Sequence, residues 1–333
     1  NLIQRGRLVV ELTDLNQQTQ TQPLEFLQHS SAFYLGLARP GSVVAAGESL
    51  PVTVVAVGAD GAPWTNAVTA EVRLERVEWR TLRVESAGRV TGYRYEPEVT
   101  VVNEQAIRAA APIRQADRWV VEPDANGPRF AVKEPGQYRL TARATDAGGH
   151  AVASQISFYV HGPANLAWDY RYETQLELVP DAPRYEPGQS ARLLVKSPFD
   201  GQALVTVERE GVRRVQSVAL RGNAPMLTVP IEAGDAPNVF VSVLLIRGSA
   251  GSPHRAKAPE YGLGYCRLAV EASDRQLRVV PRCEAEYRPG ASVQAVVEVR
   301  NAAGQPVPGA EVTLFAVDEG VLSLTGFETP DPF

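Results

Sequence analysis

A four-residue signal, Tyr-x-Pro-Gly, stands twice in this chain, at Tyr185–Gly188 and at Tyr287–Gly290, and each copy runs at once into a strand pattern. Ala191-Arg-Leu-Leu-Val-Lys196 follows the first and Val293-Gln-Ala-Val-Val-Glu-Val299 follows the second. The signal describes a corner. Proline holds φ at about −65°, and glycine supplies the positive φ or the close approach that a tight bend needs. A tyrosine in front covers the bend with its ring while its hydroxyl reaches backbone or water. Gly188 and Gly290 are 102 residues apart, the length of one β-sandwich of about 100 residues. The chain therefore reads as a string of similar β-domains, and its function as a property of the string rather than of a catalytic pocket.

The remaining punctuation agrees. Val52–Val57, Ala203–Val207, Val239–Ile246 and Val312–Val317 are short, rich in β-branched residues and bounded by Gly, Pro, Asn and Asp. Asp60-Gly61, Asp146-Ala-Gly-Gly149, Asp200-Gly201 and Asn301-Ala-Ala-Gly304 are turn signals. The 25 prolines and 27 glycines argue against long helices. Only Asn103–Ala111, ended by Pro112, is predicted as a short helix. A second repeat aligns Arg7-Leu-Val-Val-Glu-Leu-Thr-Asp14 with Arg139-Leu-Thr-Ala-Arg-Ala-Thr-Asp146. Each copy is followed by an aromatic pair, Phe33-Tyr34 and Phe158-Tyr159, expected to lie on the closing strand of its domain. The expected units are 1–36, the end of one sandwich; 37–162, opening at a degenerate corner Val44-Ala-Ala-Gly47; 163–272; and 273–333, the start of another. The chain opens as if in mid-domain and reads as a piece of something longer. Half-sandwiches at its two ends would expose sheet edges and an apolar face for neighbours to cover.

Glu71-Val-Arg-Leu-Glu-Arg-Val-Glu-Trp-Arg80 alternates with period two. Ala70, Val72 and Leu74 are assigned to a core, and Glu71, Arg73 and Glu75 to water, where opposite charges pair across strands. An inter-domain contact surface is the alternative use of that outer face.

Composition excludes several functions. Net charge is −5 and no basic stripe stands out, so nucleic acid is not an expected partner. No apolar run reaches the roughly 18 residues that a membrane-spanning helix needs, and Asn1 does not open a signal segment. His29, His150, His161 and His254 are scattered, without metal-ligand spacing, and His150 reads as a solvated turn residue. No nucleophile-elbow or phosphate-loop motif occurs, so neither catalysis nor a cofactor is expected. Trp64, Trp79, Trp119 and Trp168 share no spacing that would make an aromatic platform for carbohydrate. Cys266 and Cys283 fit either one disulfide, pinning the boundary between two domains, or two free thiols. Asp318 and Glu319 are adjacent and would point to opposite faces of a strand, so they read as a strand-end turn into Gly320 rather than as paired carboxylates or a calcium site.

Taken together, these residues resemble the macroglobulin-like domains of bacterial α2-macroglobulins. Leu176–Phe199 is similar to that family's domain opening, and Ala203–Gly211 and Ala236–Val243 continue it. Ala316-Val-Asp-Glu-Gly-Val-Leu-Ser-Leu-Thr-Gly-Phe-Glu-Thr-Pro-Asp-Pro-Phe333 is similar to the stretch before the bait region. Val72–Trp79 and Glu134–Tyr138 match more loosely. The resemblance implies an all-β fold of tandem immunoglobulin-like antiparallel sandwiches. It also implies membership of a broad protease inhibitor that works by entrapment: a target endopeptidase cuts the bait, the domains rearrange, and a Cys–Gln thioester elsewhere couples to the protease. Its partners would be target endopeptidases and neighbouring macroglobulin-like domains, in the periplasm, with the parent lipid-anchored to the inner membrane in many members. This sequence departs from the family's thioester motif, Cys-x-Glu-Gln. Cys283-Glu-Ala-Glu286 ends in Glu, and Cys266-Arg-Leu-Ala269 fits no better. On this resemblance the chain carries framework only, and Asp318-Glu319-Gly320 lies next to the bait. The competing class is a cell-surface adhesin built of immunoglobulin-like repeats, which has no reason to carry the Val317–Leu324 ending. A weaker alternative places a cleavable loop at Gly248–Tyr261, with Arg255 and Lys257 as its basic residues.

Overall fold

The computed structural model of the chain describes residues 3–38, 41–86, 89–115, 118–121, 127–162, 166, 174–248, 259–272, 275–284, 286–288, 290–317 and 321. All of its extended structure lies in antiparallel sheets apart from one parallel pairing and a few isolated bridges. Strands β1 (Gln4–Thr13) and β2 (Thr19–Gln28) form a hairpin by themselves. Asp14 closes its turn, accepting from the backbone N–H groups of Asn16 and Gln18, with Gln17 at φ +62°. Leu8, Val10, Leu12, Leu24 and Phe26 line one face of the hairpin, and all five are exposed. The hairpin thus presents an apolar face that no other described residue buries.

The next unit is a full sandwich. Its strands begin with β3 (Phe33–Ala38), β4 (Val43–Ala45), β5 (Ser49–Pro51) and β6 (Thr53–Gly58). The hairpin of β7 (Thr69–Ser86) and β8 (Arg89–Arg108) follows, then the short pair β9 (Ile113–Gln115) and β10 (Arg118–Val120). The unit ends with β11 (Arg129–Ala131), β12 (Gly136–Thr145) and β13 (Ala151–His161). One sheet runs β4-β13-β12-β7-β8; the pairs β3-β6 and β5-β11 face it. Between them lie Phe33, Val54, Val72, Leu74, Phe130, Leu140 and Phe158. The alternation of β7 is as expected: Ala70, Val72 and Leu74 are buried, while Arg73 pairs with Glu104 on β8 at 2.8 Å and Arg139 with Glu75 at 2.7 Å. Past Val77, where β12 stops pairing with β7, β7 and β8 continue as a two-stranded ribbon.

Two sequence expectations change here. Phe33-Tyr34 does not close the first unit: β3 pairs with β6, and Phe33 sits in the second core against the Trp64 ring at 5.5 Å. A boundary at 36/37 would cut this strand in two. Both copies of the Arg-Leu repeat run into a five-residue turn, but the first hairpin ends at Gln28, so the aromatic pair is free to open the next core. Asn103–Arg108 is strand rather than helix, because Thr69–Leu74 offers it a full ladder and the core takes Ile107.

The third unit contains β14 (Glu177–Pro180), β15 (Ser190–Lys196), β16 (Gly201–Glu208), β17 (Val212–Leu220) and β18 (Met226–Pro230). A 3₁₀ turn at Ala233–Asp235 precedes β19 (Asn238–Arg247) and β20 (Glu260–Ala269). The sheet β14-β15-β18 packs on β17-β16-β19-β20 around Leu193, Val195, Val205, Val241, Val243 and Leu268. The last unit shows only β21 (Arg278–Arg282) paired with β22 (Val296–Arg300) among the described residues. Val312–Val317, expected as a strand, has no ladder partner among the described residues, and its Leu314 and Phe315 are exposed. A strand exists by pairing, so pattern alone does not make one.

Candidate functional site

The repeated corner is built as its residues dictate. Tyr185 is 3% exposed. Its hydroxyl donates to Asp181 Oδ1 at 2.9 Å and accepts from the Ala182 N–H at 3.1 Å. Its backbone exchanges bonds with the end of β20 and the residues after it: Tyr185 N–H to Ala269 O and Glu271 N–H to Tyr185 O. Gly188 has φ +91° and donates to Ile231 O at 2.8 Å. Burial pushes the Tyr185 phenol above its ordinary value, with Asp181 acting in the same sense. The degenerate corner follows the same plan with Val44 in place of tyrosine: Gly47 has φ +92° and donates to Val132 O at 2.7 Å. Tyr287 repeats the local bonds, accepting from the Glu284 N–H at 3.0 Å before Gly290 at φ +82°. It is only half-buried.

Charge in the third unit is held on structure. Asp235 is fully buried and accepts from Arg214 Nη1 at 3.0 Å, Arg214 Nη2 at 2.6 Å and the Glu232 N–H at 2.9 Å. Burial opposes ionisation of this carboxyl, but the Arg214 hydrogen bonds, the Glu232 amide and the Arg213 charge outweigh it and hold it below the usual carboxylate range. In the second unit Asp146 does a similar task. It accepts from the Ala32, Gly148 and His150 N–H groups, those of Ala32 and His150 bringing its carboxyl down to about 2, and places His150 in the turn as the sequence suggested.

The second and third units meet at a seam that sequence reasoning missed. Val43 and Leu194 are buried there, with Tyr159, Val179 and Met226 against them. Lys196 is 4% exposed; its Nζ donates to Tyr159 Oη at 2.8 Å and Glu177 Oε2 at 2.6 Å and stands 4.3 Å from the Tyr159 ring centroid. The Ser42 N–H donates across the seam to Asp181 O at 2.9 Å. The signal was the unbroken run Leu193-Leu194-Val195. Alternation marks a strand with one wet face, and a continuous apolar run marks one covered on both.

A cleft of about 830 Å³ lies at one end of the third unit, lined by Phe199, Asp200, Arg221, Asn223 and Arg247 among others. Asp200 accepts from the Gly222 N–H, and the Arg247 guanidinium lies over the Phe199 ring at 4.8 Å while pairing with Glu260. Among the described residues its lining contributes no His, Cys, Ser or Tyr that could serve as nucleophile or base beside that carboxylate. Among the described residues, no group of three or more His, Cys, Asp and Glu side chains is placed to hold a metal ion. No helix among them is long and apolar enough to cross a membrane. Cys266, on β20 against the core, and Cys283, exposed, are both free thiols, so the bond that would pin the boundary is not formed. Burial pushes the Cys266 thiol up to about 11. Asp318, Glu319, Gly320 and residues 249–258 lie outside the described residues.

The fold and the corners define a class, a tandem β-sandwich protein, and comparison with known proteins shows what part of it is similar to. Residues 176–324 match the family model of the alpha-2-macroglobulin bait region domain. An alpha-2-macroglobulin homolog of Nostoc sp. is 28% identical over 207 residues, which are 60% of this chain and 11% of that protein. One from Deinococcus radiodurans is 30% identical over 202 residues, 60% of this chain and 19% of that protein. The native conformation of E. coli alpha-2-macroglobulin aligns with 98% of this chain and 21% of its own at 20% identity and a TM-score of 0.37. The chain is thus similar to bacterial alpha-2-macroglobulins over its residues 176–324, and it spans between a tenth and a fifth of the length of those two curated relatives.

Proposed function

We propose that this chain is non-catalytic framework in a bacterial alpha-2-macroglobulin that traps endopeptidases after they cut a bait segment. The match of residues 176–324 to the bait region domain carries the proposal. The architecture supports it: closed sandwiches with bonded corners are stiff blocks, and stiff blocks move as units when a restraint between them is cut. In this reading Asp318-Glu319-Gly320 leads to the segment that is cut. The parent works in the periplasm, held at the inner membrane by a lipid, with endopeptidases and its own neighbouring domains as partners.

The test uses the whole polypeptide that carries this segment, mixed with trypsin. Entrapment leaves trypsin active on a small chromogenic peptide but not on casein, with the first cut mapping to the C-terminal side of Val317. Casein hydrolysis unchanged, or both activities lost, would overturn it. A first cut at Arg255 or Lys257 would move the bait to the loop after Gly248. Fractionation of cells that recovers the parent in the cytosol would remove the periplasmic assignment.

A further inference from the structure

The outer face of β15 is not a surface. Its core-side residues, Leu193 and Val195, belong to the third sandwich, while Leu194 on the opposite face is fully buried among Val179 and Met226 of its own sheet and Val43 and Tyr159 of the second unit. Two residues on, Lys196 continues that face and is 4% exposed. A buried ammonium is costly unless it is paired and hydrogen-bonded. Here Glu177 of the third unit and Tyr159 of the second supply the partners, and the Tyr159 ring adds a cation–π contact. Moving one sandwich against the other takes the Tyr159 hydroxyl and ring away from this ammonium. The backbone gives a second lock. Ser42 donates to Asp181 O, and beside it Gly41 lies so close that a Cβ there would stand 2.8 Å from the same carbonyl oxygen. Asp181 is itself fixed by Tyr185 and Arg192 at the corner of the third unit. The seam is thus tied to the corner that opens the domain.

We infer that the second and third sandwiches form one rigid elbow, keyed by Lys196 and the Ser42–Asp181 bond, so that any rearrangement of this protein takes place on either side of the pair and not between them. The inference stands apart from the trapping reading and holds whether or not the parent captures a protease. By contrast, the short link between the first hairpin and β3 is held to the second unit by the Ala32 N–H on the Asp146 carboxylate at 3.0 Å and by the His29 ring on the Tyr34 hydroxyl at 2.9 Å, bonds at the rim of the sandwich.

Pulsed electron–electron distance measurement on the 333-residue chain tests it. Nitroxides go on Gln155→Cys in β13 and Gln216→Cys in β17, both exposed positions, in a Cys266→Ala, Cys283→Ser background. The expected result is one narrow distance distribution, broadened or shifted by several ångströms in Gly41→Val and in Lys196→Met while circular dichroism stays unchanged. Gly41→Val touches neither core, so it decides the matter if Lys196→Met does not fold. A broad distribution in the parent chain, or a distribution unmoved by Gly41→Val in folded protein, would overturn the inference.

Discussion

The corner at Tyr185 and the corner at Tyr287 share a motif, a donor to the tyrosine hydroxyl three residues upstream, and a glycine in the left-handed region. They differ in what stands behind them. Tyr185 backs onto a closed core of two sheets, and Tyr287 onto a two-stranded ladder whose Val279 and Val296 are exposed. The repeated tyrosine and glycine thus take the same local geometry with a closed core behind them and, among the described residues, with only a two-stranded ladder. Turn geometry is a local property of the chain, and the stability it contributes is set by the packing that the turn brings together.

The largest expected difference between the two copies follows from that packing. Tyr185→Ala removes a buried ring and should destabilise the third unit by about 3–5 kcal/mol, whereas Tyr287→Ala should cost its unit under about 1 kcal/mol. Urea dependence of amide exchange, followed separately in β15 and β22, measures each, and equal losses would break the contrast. The ion pairs should separate in the same direction. Arg214→Met strands the buried Asp235 and should cost about 3 kcal/mol, while Arg300→Met removes a pair of half-exposed groups worth under about 1 kcal/mol. Gly188→Ala and Gly290→Ala should then cost the same, about 1–2 kcal/mol, because both glycines sit at similar positive φ. A clear inequality there would show that the turn is not local after all. The smallest effect is in pH. Asp235 titrates below its ordinary value of 3.8 in the folded chain, so its contribution is present above that value and is lost as pH falls through the folded one. The melting point of the third unit should therefore decline on acidification below about pH 4, and Asp235→Asn should flatten that limb.

Much of this was legible in the sequence because the signals were local. The corners at 44–47, 185–188 and 287–290, the alternation of Ala70, Val72 and Leu74, and the Asp-led turns at 14 and 146 are each settled by residues within one or two turns of chain. What failed depended on partners distant in sequence. Phe33-Tyr34 could close one domain or open the next, and the choice was made by β6, whose pairing no local pattern announces. Asn103–Ala111 has a composition that suits a helix, and β7 overrode it. Val312–Val317 has strand composition but no ladder partner among the described residues. The seam was half legible. Leu193-Leu194-Val195 showed that β15 is covered twice, but nothing near it could name Val43 and Tyr159 as the second cover.

β15 consequently has no harmless way to misalign. Shifting its pairing by a single residue would thrust the Lys196 ammonium among the aliphatic side chains of the third core and turn Leu193 toward the second sandwich. Most strands risk one face when they slip; this one is proofread from both sides at once, by its own domain and by the one before it.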